Sequence, residues 1–219
     1  MQAALSKFVR ARMRFEHVQG IQLNFIRSLP SLRKAKGKRH YNIRVDQRER
    51  LCEMAFVVIF TSWEEFLETS FEYYLASGSK ISNLALTKVK VVDLSTARDV
   101  IRGDRRYVDW ADPDQVRTRA KVFFEDGEPY ETAISSVLGY LKKMRVIRNR
   151  CVHFSQYAAD QYNKMIREIF GAGKKVTPGH LLLNPPPSGL LSGGLPSNYS
   201  STFELFTAVL DTACCIVVP

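Results

Sequence analysis

With 219 residues, 45% of them hydrophobic and 11% aromatic, the chain has enough apolar matter for a real core; this excludes a disordered tail and fits one domain, 1–219. A formal charge of +10 excludes a net acidic surface and favours polyanionic partners, RNA first among them. The most apolar stretch, Phe203 to Val218, is broken by Glu204 and Asp211 and is too short and too charged to span a bilayer, so no membrane partner is expected.

In chain order, the start alternates basic and apolar residues without the apolar block of a secretory leader. The same periodicity runs on through Ile21, Phe25 and Ile26 and predicts a first helix from about Ala4 to Ser28, stopped before Pro30. Arg33, Lys34, Lys36, Lys38, Arg39 and Arg44 then crowd an acid-free stretch, read as a loop over 30–43 that is either solvated or turned to a polyanion. A long, mostly buried second helix covers Val45 to Ala76, with Leu51, Met54, Ala55, Val58, Phe66, Leu67, Phe71 and Leu75 recurring at three- and four-residue steps. Trp63 on this helix reads as a core or interface anchor before a stacking platform.

From Ile81 to Asp112 the pattern weakens. Lys88 to Val92 reads as a short strand, and Ser95 as the cap of a short helix through Ile101. Asp112-Pro113 opens another helix, which reaches Phe124 and ends at Gly127. Pro129 leads into a strongly patterned helix that begins near Tyr130 and ends at His153, and a further helix follows from about Ala158 to Phe170. Residues 171–199, rich in Gly and Pro, form a long irregular connector; His180 within it reads as a surface histidine. The capping box Ser201-x-x-Glu204 starts a last helix over 200–217, which either packs back on its own bundle or crosses to a partner. The expected fold is all-α, with about four principal helices and short strands or extra helices in an 81–112 insertion.

Cys52, Cys151, Cys214 and Cys215 show no CxxC or Cys/His ligand spacing, which reads as reduced thiols in a cytoplasmic protein with no metal site and no cofactor. No glycine-rich phosphate loop, paired-carboxylate signature or HExxH is present either.

The chemistry concentrates in Arg148-Asn149-Arg150-Cys151-Val152-His153. At about 100° per residue, Ile134, Val137, Leu138, Leu141, Met144 and Val152 share an apolar stripe on which Arg148 and Asn149 also fall. An Arg and an Asn on a buried stripe are costly unless paired or used. Asn149 and His153, four apart, stand on nearly the same face. A guanidinium, an amide and an imidazole at one helix end can hold a phosphate and move a proton beside it. The plainer alternative is a structural one: Arg148 in a buried ion pair and His153 as an ordinary helix-end residue. Lys142, Lys143, Arg145 and Arg150 surround the motif, and Arg105 and Arg106 precede it; all six are candidates for RNA contact.

Arg148-Asn149 and His153 together resemble the R-N-x-x-x-H signature of the HEPN superfamily, α-helical domains found in many prokaryotic RNA-cleaving toxins and defence nucleases. Trp63-Glu64-Glu65-Phe66-Leu67 is similar to the W-E-x-[FY]-[LI] of a bacterial branch sometimes called RiboL-PSP-like. Gly103 to Trp110 and Phe123 to Pro129 lie between them in the same order, and the resemblance spans about 45–160. It implies a helical bundle, a metal-independent endoribonuclease acting through the RNA 2′-hydroxyl, and a homodimer with a composite site. Arg148, Asn149 and His153 would be its catalytic residues, with Trp63 and Glu64 as candidate support. It also implies a toxin or antiviral effector restrained by an antitoxin or sensor protein. The alternative is a non-catalytic HEPN module that binds RNA, a nucleotide or a partner protein.

Overall fold

The computed structural model describes residues 2–29, 44–77, 85–191 and 198–218. The basic stretch 30–43 falls outside the described residues, and with it every member of the first cationic cluster except Arg44. Among the described residues the chain is all-α. Its helices are α1 (Gln2–Ser28), α2 (Val45–Ser77), α3 (Leu94–Arg102), α4 (Pro113–Phe123), α5 (Tyr130–Ser136), α6 (Leu138–Val152), α7 (Gln156–Phe170), α8 (Pro178–Leu183) and α9 (Thr202–Val217). Among them, α1, α2, α6, α7 and α9 have fifteen residues or more, against the four principal helices expected. None of the described helices is long and apolar enough to cross a membrane.

Four expectations are corrected. The predicted strand over Lys88 to Val92 does not form: one antiparallel bridge joins Thr87 and Phe124, and Val92 is left 91% exposed. β-branched residues favour a strand only where a partner ladder and a buried face exist. The short helix that follows is capped by Asp93, whose carboxylate accepts from the Thr96 amide at 2.8 Å, not by Ser95.

The motif helix is not continuous from Tyr130. It breaks at Val137 (φ −127°, ψ 16°), where the Ser136 hydroxyl donates to the Ala133 carbonyl at 2.8 Å. That carbonyl is the acceptor the Val137 amide would use in a continuing helix; the amide turns instead to the Ile134 carbonyl at 3.2 Å.

The connector, finally, is not irregular throughout. It holds α8, capped by the Thr177 hydroxyl, and a 3-10 turn at Ser188–Leu190. Gly179 donates its amide to the buried Glu53 carboxylate at 3.1 Å, and a Cβ at that position would run into the Glu49 backbone.

The described chain forms two compact units. The first comprises Met1–Glu16, Thr61–Lys142 and Val209–Pro219. Its core is aromatic: Phe71 lies 4.8 Å from both Phe124 and Tyr130 and 5.4 Å from Trp110, and Trp63 stacks on Phe66 at 5.6 Å with Phe15 alongside. Two of the hydroxyls buried in this core pair within it, Tyr130 with Ser70 at 3.0 Å and Tyr74 with the Val217 carbonyl at 2.6 Å.

The second unit comprises His17–Phe60 and Lys143–Ala208. Phe56 packs on Phe60 and Phe206, and Arg27 pairs with Glu204 at 2.9 Å. α7 presents Tyr162, Met165, Ile166 and Ile169 to the interior, as its periodicity predicts. The last helix is buried along its apolar face, Phe203 and Phe206 in this unit and Leu210, Ala213 and Val217 in the first, and the Ser201 hydroxyl caps it by accepting from the Glu204 amide at 3.2 Å.

Candidate functional site

The C-terminal half of α6 carries the motif. Tyr140, Leu141, Met144, Ile147 and Cys151 form its buried face. At about 100° per residue, Arg148 stands roughly 50° from the midline of that face, while Asn149 and His153 stand more than about 150° from it. The expectation that Asn149 shares the buried stripe is therefore corrected, while Arg148 stands at its edge. Leu141 and Met144 keep the expected stripe across the Val137 break, but its midline turns toward Tyr140, Ile147 and Cys151, so Arg148 and Asn149 are half-buried, His153 is exposed, and Val152, expected inside, is 42% exposed.

The three motif side chains lie on the last turn of one helix. Arg148 Nη1 donates to Asn149 Oδ1 at 3.2 Å. The His153 amide donates to the Asn149 carbonyl at 2.8 Å, which closes the turn and fixes the backbone from which the imidazole projects. Arg150 reaches back to the His153 carbonyl at 3.4 Å, a cation at the end of a helix where carbonyls lack partners. His153 and Phe154 then form a short corner, and Ser155 caps α7 by accepting from the Ala158 amide at 3.3 Å.

Cys151 faces inward, and burial, with Glu53 nearby, pushes its thiol up to about 12. A thiol so held is a poor nucleophile.

The other sequence candidates divide between the units. Lys143, Arg145 and Arg150 share the second unit with the motif; Arg145 and Arg150 are half-buried on α6. Lys142 belongs to the first unit and pairs with Asp114 at 2.7 Å. Arg105 and Arg106 are also in the first unit. Arg105 donates to Gln115 at 3.2 Å, and Arg106 lines a cleft of about 540 Å³ with Glu68, Arg98, Tyr107 and Trp110. Trp63 is 2% exposed, packed in the aromatic core, and Glu64 beside it is half-buried. His180 is a surface residue as expected, its ring 3.5 Å from Glu49. Among the described residues, no group of three His, Cys, Asp or Glu side chains is disposed to hold a metal ion.

Two residues escaped the sequence reading. Phe154 and Tyr157 flank the α6–α7 corner and are 76% and 74% exposed. The Arg50 guanidinium lies 5.6 Å from the Phe154 ring centroid and is held by Glu53 at 2.6 Å. The available signal was positional: two aromatics lie on either side of a capping serine, directly after the motif histidine.

The chain matches no family model, no curated protein and no solved structure.

Proposed function

We propose that the chain is a metal-independent endoribonuclease whose helices form a HEPN-like bundle. The observation that carries this reading is Arg148 and Asn149 on the last turn of α6 with His153 directly after it, its amide bonded to the Asn149 carbonyl, the imidazole exposed and the guanidinium tied to the Asn149 side chain. Half-burial of Arg148 limits its motion, and exposure of His153 leaves the imidazole open to a substrate of any size.

RNA brings its own nucleophile. His153 takes the 2′-hydroxyl proton, the 2′-oxygen attacks phosphorus, and the bond from phosphorus to the 5′-oxygen breaks as that oxygen accepts a proton. Arg148 holds the non-bridging oxygens and offsets the charge that grows on them. Asn149, bonded to Arg148, positions the guanidinium. The products are a 2′,3′-cyclic phosphate and a 5′-hydroxyl. One chain brings one motif imidazole, so the proton for the leaving oxygen comes from a second copy in a composite dimer. The four free cysteines and an RNA substrate agree with a cytoplasmic setting, and a toxin or antiviral role under the control of an antitoxin or sensor protein fits the same reading.

The test is cleavage of a single-stranded RNA in excess chelator, with the product ends identified. Cyclic phosphate ends that vanish in His153→Ala are expected. Cleavage that stops on chelation, or tight RNA binding with no cleavage at all, overturns the proposal.

A further inference from the structure

The corner after the motif leaves large aromatic side chains in solvent at a place where the fold does not need them there. Phe154 is 76% exposed and Tyr157 is 74% exposed, and Val152 beside them is 42% exposed. Isolated exposed apolar residues are ordinary on a protein surface. Three within six positions of one another, bracketing the exposed His153, form a patch whose exposure asks for an occupant.

The surroundings narrow its chemistry. Arg50 stands over the Phe154 ring at 5.6 Å, and Glu53 holds it there with a 2.6 Å ion pair, so the ring is oriented from one side and open elsewhere. Arg150 reaches only the His153 carbonyl and has no carboxylate partner among the described residues. Tyr157 sits in the first turn of α7, behind the Ser155 cap that fixes the turn. Two exposed rings thus follow Arg150 in the chain, and one of them carries the Arg50 guanidinium on one side. A second copy of this chain docking by the same patch would bring these cations against one another. A single-stranded RNA offers what both groups accept: bases for the rings and phosphates for the guanidiniums. A duplex keeps its bases stacked inside and offers only phosphates.

From this we infer that Phe154 and Tyr157 are a base-stacking platform that delivers unpaired nucleotides to His153. The inference rests on the nuclease reading above and deepens it. The platform residues are positioning residues: they hold bases that flank the phosphate on which His153 and Arg148 act. Their removal therefore raises KM for unpaired RNA and leaves the salt dependence of binding intact, because stacking releases no counterions.

The experiment uses the full chain and two probes, an unstructured oligoribonucleotide and its perfect duplex. Binding is read with a 2′-deoxy version of the single strand, which lacks the nucleophile, and cleavage with the ribose form. Phe154→Ala and Tyr157→Ala should each weaken single-strand binding on the order of tenfold. Phe154→Trp should restore it, Phe154→Leu should not, and duplex binding should stay within about twofold in every variant. Since both side chains are exposed, the variants should melt with wild type. If the Ala variants bind and cleave the single strand like wild type, the platform is refuted while the nuclease reading stands. If they lose binding but wild type cleaves nothing, the platform is upheld as a binding element and the nuclease reading falls. If light scattering instead shows that they break a dimer while single-strand binding by the remaining chain is unchanged, the patch is a self-association face and the inference is overturned.

Discussion

Arg148 donates from Nη1 to the side-chain oxygen of its neighbour Asn149 at 3.2 Å, so the phosphate-holding candidate is itself held by a residue of the motif. This ordering separates the three motif side chains by role. His153→Ala removes the proton-transfer group and should lower the cleavage rate roughly a hundredfold or more. Arg148→Ala should do the same, and Arg148→Lys should rescue little, because an ammonium cannot present the planar fork that grips two oxygens at once. Asn149→Ala should lose less, since Arg148 keeps its charge and loses only one restraint. All four variants should keep the wild-type circular dichroism spectrum. The two Ala variants that remove the key groups should also melt within a few degrees of wild type, because His153 is exposed and Arg148 half-buried. Full activity in His153→Ala would remove the imidazole from the mechanism.

Single-stranded RNA binding should weaken steeply with salt, as a chain of charge +10 that neutralises several phosphates must release their counterions. Charge reversal at Arg145 and Arg150, on the motif helix, should weaken binding more than reversal at Lys34 and Lys36, which lie outside the described residues. Each lost phosphate contact should lower the slope of log affinity against log salt by about 1. Equal effects from the two pairs would mean a diffuse field with no groove centred on the motif.

The parts of this fold that were legible in sequence are those decided by local chemistry. Asp112-Pro113 opens α4 with the aspartate accepting from the Asp114 and Gln115 amides, and Ser201 caps α9. α2 ends within one residue of its predicted end, and Phe66, Leu67, Phe71 and Leu75 are buried as their spacing predicts, while Met54 and Val58 face out. The motif residues were also found, since residue type and spacing carry them. Their setting was not. The Ser136 hydroxyl donates to the Ala133 carbonyl at the Val137 break, and beyond it the buried face keeps Leu141 and Met144 but ends on Ile147 and Cys151, leaving Val152 outside. α8 was hidden for a different reason: its stability is tertiary. Gly179 lies against the backbone at Glu49 and bonds Glu53, 126 positions away, and no local pattern announces such an approach. Phe154 and Tyr157 were passed over because periodicity finds residues that face inward, and these face out.

Gly179 and Gly139 should respond to alanine with opposite signs. A Cβ on Gly179 meets the Glu49 carbonyl oxygen and carbon and the Glu49 Cβ, so Gly179→Ala must displace α8 or α2 and should cost about 1–3 kcal/mol. Gly139, near the start of α6, has open space where its Cβ would go, and Gly139→Ala should stabilise by up to about 1 kcal/mol through helix propensity alone. Urea denaturation of the two variants beside wild type reads both signs. A neutral Gly179→Ala would show that α8 is not pinned to α2.

The acid side of the stability profile should show the Arg117–Glu131 pair. Arg117 grips the Glu131 carboxylate with both Nε, at 3.0 Å, and Nη2, and Lys121 stands 3.4 Å away. The Arg117 hydrogen bonds hold the carboxyl down to about 2, below its ordinary 4.5. A carboxyl depressed on folding contributes stability that is fully present above its unfolded value and is lost as pH falls through its folded value. The pair keeps 24% and 20% side-chain exposure, so solvent screening limits its worth to about 1 kcal/mol. Glu131→Gln should therefore be less stable than wild type by about that amount at neutral pH. The gap should hold down to about pH 4.5, narrow as the wild-type carboxylate protonates, and close near pH 2. Added salt should shrink the gap at neutral pH and raise the pH at which it closes toward 4.5, because screening weakens the same attraction that holds the carboxyl down. A difference between the two proteins that stays constant from pH 7 to 2 would mean that Glu131 matters through packing, and not through its charge.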